Sequence, residues 1–142
     1  MKRIFVALDA SARAPTVLAT ALRLAEMADA KLVIYRAIGV PPDMPLEVFE
    51  MTDARLEDFL RQSARASLAS LTKDIPAERI ERVITTLATP WDGICRSARE
   101  CDADLIVLGS HGYSGLDRLL GTNAGKVVNH ADRNVLVVRT VL

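Results

Sequence analysis

Two glycine-marked bends carry the chemistry of this chain. Gly109-Ser110-His111-Gly112 follows the apolar run Ala103-Asp104-Leu105-Ile106-Val107-Leu108, and Gly121-Thr122 lies eight intervening residues further on. A strand that ends in Gly-x-x-Gly lets the backbone turn sharply and brings its N–H groups close to a ligand. A second glycine with a hydroxyl neighbour, opening a helix, adds orphan donors and the positive end of the helix dipole. Together these groups make a cradle for an anion, with nucleotide phosphates as the natural occupant.

The neighbouring polar residues have two roles open to them. Asp9, at the end of the first apolar run, is either a carboxylate facing a ligand, as its place at a strand end allows, or a turn residue capping the helix that follows, a task Ser11 can share. Thr122 is a phosphate contact, a helix N-cap, or both. The backbone N–H groups of Asn123 and Ala124 continue that helix start, and Ala124 adds no side-chain donor. His111 either donates to a phosphate, with a charge that changes near neutral pH, or is a plain loop histidine. His130 is expected to complement the C-terminal dipole of the last helix.

Other chemistries fail on spacing. Gly121-Thr-Asn-Ala-Gly125-Lys126-Val127 has three residues between its glycines where a P-loop needs four, and a valine where it needs Ser or Thr. Lys126 is therefore expected on a solvated helix surface. No Gly-x-Ser-x-Gly or His-Glu-x-x-His is present, and no cysteine adjoins a histidine. Cys95 and Cys101 fit neither a zinc site nor a redox Cys-x-x-Cys and read as small buried residues on a helix.

The elements that must position these residues follow from apolar periodicity. Ile4–Leu8 is a continuous apolar run of strand length, and Ala14–Ala30 repeats at helical spacing with Pro15 in its first turn. Lys31–Ile38 predicts a second strand. The stretch 39–53, with Pro41, Pro42 and Pro45, predicts a loop able to move over the pocket. A helix over Ala54–Leu71 should turn Leu56, Phe59, Leu60, Ser63, Ser67 and Leu71 to one face. Ile80–Leu87 is a less apolar strand, suited to a sheet edge. Thr89-Pro90 should open a helix burying Trp91, Ile94, Cys95 and Ala98. Leu105–Leu108, a helix from Gly121 to Asn129, and Val135–Val138 complete the pattern.

Alternating strands and helices with solid apolar strands imply one α/β domain, an open parallel sheet covered by helices on both faces. Ligands in such sheets lie beyond the carboxyl ends of the strands where the order reverses. The ends that matter are Ala7-Leu8-Asp9, Ala37-Ile38 and Leu108-Gly109. If the first and fourth strands are neighbours, Asp9 and the Gly109 bend flank one crevice.

With 142 residues, 50% of them hydrophobic, the chain can bury a full core. Lys+Arg and Asp+Glu both number 18, so the basic surplus that a nucleic-acid binder needs to displace counterions is lacking. No apolar run reaches membrane-spanning length. The basic Met1-Lys2-Arg3 start is followed by too short an apolar stretch for a signal peptide, which predicts a cytoplasmic protein.

These residues resemble the universal stress protein family over essentially the whole chain. The resemblance rests on Ile4-Phe5-Val6-Ala7-Leu8-Asp9-Ala10-Ser11, on 102–112, on Val127-Val128-Asn129-His130-Ala131-Asp132 and on Val135-Leu136-Val137-Val138-Arg139. ATP-binding members carry Gly-x2-Gly-x9-Gly-Ser/Thr; here the spacer is x8, one residue shorter, which tightens the path of the loop. The resemblance implies a five-stranded parallel Rossmann-like sheet with nucleotide between the first and fourth strands and no strong turnover. It further implies a stress-response regulator binding ATP or AMP, with Mg²⁺ as a companion ion and a regulatory protein as partner. Adenine would lie against Ala37 and Ile38 beside Leu8. Asp9 would take the ribose, and Gly112, Gly121, Thr122 and Asn123 the phosphates. Homodimers would form through 134–139, where an apolar edge invites a second copy. Two other readings stay open: a nucleotide-independent interaction module, favoured by the short spacer, and a weak ATPase or adenylate-transferring enzyme.

Overall fold

The apolar runs become five parallel strands in the order β3-β2-β1-β4-β5. In the computed structural model, which describes residues 1–39, 53–110 and 123–139, these are β1 (Arg3–Ala7), β2 (Lys31–Ile38), β3 (Ile80–Leu87), β4 (Leu105–Gly109) and β5 (Asn134–Val138). Among the described residues, four helices alternate with them: α1 (Ala14–Ala28), α2 (Asp53–Thr72), α3 (Pro90–Glu100) and α4 (Asn123–His130). The chain winds outward from β1 to β3, then crosses back to place β4 on the other side of β1. Ile4, Phe5 and Val6 pair with Leu105, Ile106 and Val107. The reversal of strand order thus falls between β1 and β4, as the sequence requires of a ligand-binding sheet.

Burial on both faces explains why the central strands are solidly apolar. Ile4, Val6, Leu32, Ile34 and Val107 pack with Val17, Leu18, Ala21 and Ala25 of α1 and Leu68 of α2. Phe5, Val33, Tyr35 and Ile106 face the other way, onto Ile94, Cys95 and Ala98 of α3 and Val127 of α4. β3 lies at a sheet edge, as its weaker apolar character suggested, and Val83 and Leu87 are exposed there.

Several local expectations need correction. α1 stops at Ala28, because Asp29 adopts a left-handed conformation (φ 50°) and Ala30 folds under, donating its N–H to Ala25 O at 2.8 Å. On α2 the inward stripe is Leu56, Leu60, Ala64, Leu68 and Leu71; Phe59 and Ser63 face solvent. Ser67 is exposed too, but accepts a hydrogen bond from Arg36. Cys95 lies on α3 as expected, whereas Cys101 is the residue that ends that helix; both are buried and form no disulfide, and burial pushes both thiols upward in pKa. A short 3₁₀ turn at Ala77–Arg79 precedes β3. Thr89 does stand at the N-cap of α3, with its backbone carbonyl rather than its side chain bonded there. The expected loop at 40–52 lies outside the described residues.

Candidate functional site

β1 and β4 end side by side, and the space beyond them is a crevice lined by Ala7, Leu8, Asp9, Ser11, Arg13, Ala14, Val17 and Gly109. It is small and partly open to solvent.

Asp9 organises the turn that leaves β1. Its Oδ1 accepts hydrogen bonds from Ser11 N (2.9 Å) and Ser11 Oγ (2.6 Å), and Ser11 Oγ in turn accepts from Arg13 N at 3.2 Å. Such a side-chain-to-backbone turn holds the exposed carboxylate in place. Asp9 does not cap α1: Arg13 occupies the N-cap position, and no side chain bonds there.

Arg36 is a rim-organising residue that pattern reading missed. It sits in the middle of β2 at 7% exposure. Its Nε donates to Leu8 O and its Nη2 to Asp9 O, both at 2.9 Å, while Nη1 reaches Ser67 Oγ on α2 at 2.9 Å. Burial lowers its pKa, and the Asp9 carboxylate works against that shift. The guanidinium thus fixes the two backbone carbonyls at the rim of the crevice. A lone arginine inside Leu-Val-Ile-Tyr-Arg-Ala-Ile was the available signal, since an arginine enters an apolar strand only with acceptors waiting for it.

Gly109 earns its place by close approach. A Cβ there would lie 3.1 Å from Val17 Cγ2, and none of the described glycines has a positive φ. The freedom of Gly109 to turn sharply is therefore not what the fold uses. Ser110 N donates to Val138 O at 2.9 Å, so the chain still follows the sheet one residue past β4.

The other expected site residues are spread around this rim. Ala7, Leu8, Asp9 and Gly109 line the crevice; Ala37, Ile38 and Leu108 do not. Ile38 is buried against Leu60 and Ala64 of α2, and Ala37 and Leu108 face the α3–α4 side. Asn123 is exposed at the first position of α4, and Ala124 packs into the core. His111, Gly112, Gly121 and Thr122 lie outside the described residues. His130 behaves as expected for a helix end: its Nδ1 pairs with Lys126 O at 2.8 Å, with its ring 4.7 Å from that of Trp91. Lys126 is exposed, its Nζ 5.9 Å from the Trp91 ring centre.

Among the described residues, no group of three His, Cys, Asp or Glu side chains is placed to hold a metal ion, and no helix is long and apolar enough to cross a membrane.

Comparison with known proteins yields a consistent family. The sequence pattern described as the universal stress protein family matches residues 1–139. Universal stress protein A homolog 1 of Coxiella burnetii is 31% identical over 140 residues, covering 96% of this chain and 95% of that protein. Among solved structures, a universal stress protein in complex with cAMP superposes with a TM-score of 0.76 at 24% identity, covering 99% of this chain and 98% of that one. Universal stress protein UspA from Lactobacillus plantarum gives 0.71 at 24% identity, with 97% of each chain covered.

Proposed function

The chain belongs to the universal stress protein family, and on that premise we propose that it is an adenine-nucleotide-binding regulator of the stress response, without strong catalytic turnover. The observation that carries this reading is the crevice where β1 and β4 end, with Asp9 held at its rim by Ser11 and by the Arg36 clamp. The cAMP complex of a structural relative supports an adenine nucleotide as the ligand class. ATP or AMP is the proposed ligand, and the cytoplasm is the proposed setting.

In this reading the Asp9 carboxylate receives the ribose hydroxyls. Adenine lies toward Leu8 and the end of β2 at Ala37 and Ile38. The phosphates reach the amides of Gly112, Gly121, Thr122 and Asn123, with His111 beside them. Since no protein cage for a cation exists among the described residues, an accompanying Mg²⁺ would be held mainly by phosphate oxygens and water, the usual habit of that ion. Turnover is limited to slow hydrolysis at most.

Calorimetric titration with ATP and with AMP, together with melting curves, tests the proposal. Binding should release or absorb heat, and millimolar nucleotide should raise the melting temperature, because a ligand that binds only the native state stabilises it. Asp9→Ala should weaken binding about tenfold, the scale of one hydrogen bond to a charged group. Absence of both heat and thermal shift in the unaltered protein would overturn the proposal in favour of a nucleotide-independent module.

A further inference from the structure

Arg13 stands apart from the other arginines around the sheet. Arg3, Arg61, Arg79 and Arg133 each meet a carboxylate and a backbone carbonyl, and Arg36 meets three oxygens. Arg13 Nε is buried with no hydrogen-bond partner, on a half-buried side chain that lines the crevice. A buried donor left unsatisfied is costly, the more so when it is charged. Native structures seldom keep one without a partner, whether water, an ion or a ligand.

Its position is set by the same turn that positions Asp9, since Arg13 N donates to Ser11 Oγ. Asp9, the other charged group lining the crevice, has Oδ1 occupied by Ser11 and makes no ion pair with Arg13 among the described residues. The guanidinium therefore remains available to an incoming anion. Its planar fork of donors matches two oxygens of one phosphate.

We infer that Arg13 contacts a phosphate of the bound nucleotide, so that the crevice selects phosphorylated ligands and holds them without requiring a divalent cation. This rests on the nucleotide reading above. The cationic contact comes from the N-cap of α1, beside the Asp9 turn.

Calorimetry on the wild-type protein, Arg13→Gln and Arg13→Lys, with ATP, AMP and adenosine, in Mg²⁺ and in EDTA, decides the matter. Wild-type protein should retain ATP in EDTA. Arg13→Gln should weaken ATP in EDTA about tenfold or more, as expected for a lost charged hydrogen bond, with adenosine unchanged and Arg13→Lys in between. A loss shared by AMP places the contact on the phosphate next to the ribose, and a loss confined to ATP places it further out; both support the inference. The unliganded Arg13→Gln protein should melt at or above the wild-type temperature, because an unpaired buried donor has been removed. Equal ATP affinity in wild type and Arg13→Gln would overturn the role of Arg13 and leave the nucleotide reading standing. An equal loss for adenosine and ATP would overturn it too, by showing a general distortion. Failure of the wild-type protein to bind any of the three would overturn both.

Discussion

Gly93 shows how tightly single residues are specified in this core. A Cβ at that position would overlap the Tyr35 hydroxyl, which is bonded to Thr86 Oγ1 at 2.5 Å, and would also press on Ala88. Gly93→Ala should destabilise the protein by about 1–3 kcal/mol, the cost of overpacking. Chemical denaturation of Gly93→Ala, Tyr35→Phe and the double variant should show the double variant less destabilised than the sum of the singles, since removing the hydroxyl vacates the space. Acidic residues supply a second test. Asp104 Oδ2 accepts from Lys2 N (2.7 Å) and Arg3 N (2.8 Å), and these bonds hold its carboxyl below the usual carboxylate range; Arg3 does the same for Glu81. A depressed native pKa means that stability is present above the unfolded value, near pH 4, and is lost as pH falls through the native one. Asp104→Asn should therefore lower the denaturation midpoint at pH 7 and shrink its drop between pH 5 and pH 2. Such roles were not legible in the sequence, because Asp104 and Lys2 meet only when β4 docks beside β1. Asp9 and Gly109 were legible as residues at the crevice because position at a strand end is a local property.

Elements were read well where periodicity was strong and poorly where a tertiary partner decided the outcome. All five strands stand within a residue or two of expectation, since an unbroken apolar run has few other fates. The end of α1 was misplaced because Ala30 looks helical by type, and only the left-handed Asp29 tucks it under. The α2 stripe was mixed because Ser67 follows the helical period yet serves a polar purpose, bonding the arginine on β2. That bond makes Arg36 the tie between α2 and the end of β1. Arg36→Met should cost about 2–4 kcal/mol, as two backbone carbonyls and a hydroxyl lose a charged donor. Hydrogen exchange should quicken first around residues 8–9 and in α2, ahead of α3, which packs on the opposite face. Uniform acceleration throughout the chain would show that the tie is not local.

For the whole molecule, the strand order placed the crevice. The sequence predicted a sheet whose first and fourth strands adjoin only through the family resemblance, because periodicity says nothing about which strands pair. The proposed dimer belongs to this scale. β5 is an edge strand with Leu136 at 36% exposure and Val135 and Val137 half-buried, a surface able to receive a second copy. Sedimentation at micromolar concentration should give twice the monomer mass, and Leu136→Lys should shift the protein toward monomer. A wild-type protein that sediments as a monomer would refute the dimer.

The central position of β1 also governs how the chain matures on the ribosome. β1 can pair with β2 soon after both are synthesised, but its other side waits for Leu105–Val107. Until β4 is synthesised, Ile4, Phe5 and Val6 form an apolar strand with one unprotected edge, and the crevice has only one wall. Contacts so distant in sequence slow folding and expose intermediates to aggregation. Nascent chains halted before β4 should therefore engage chaperones, and ligand can act as a folding aid only once that strand has emerged.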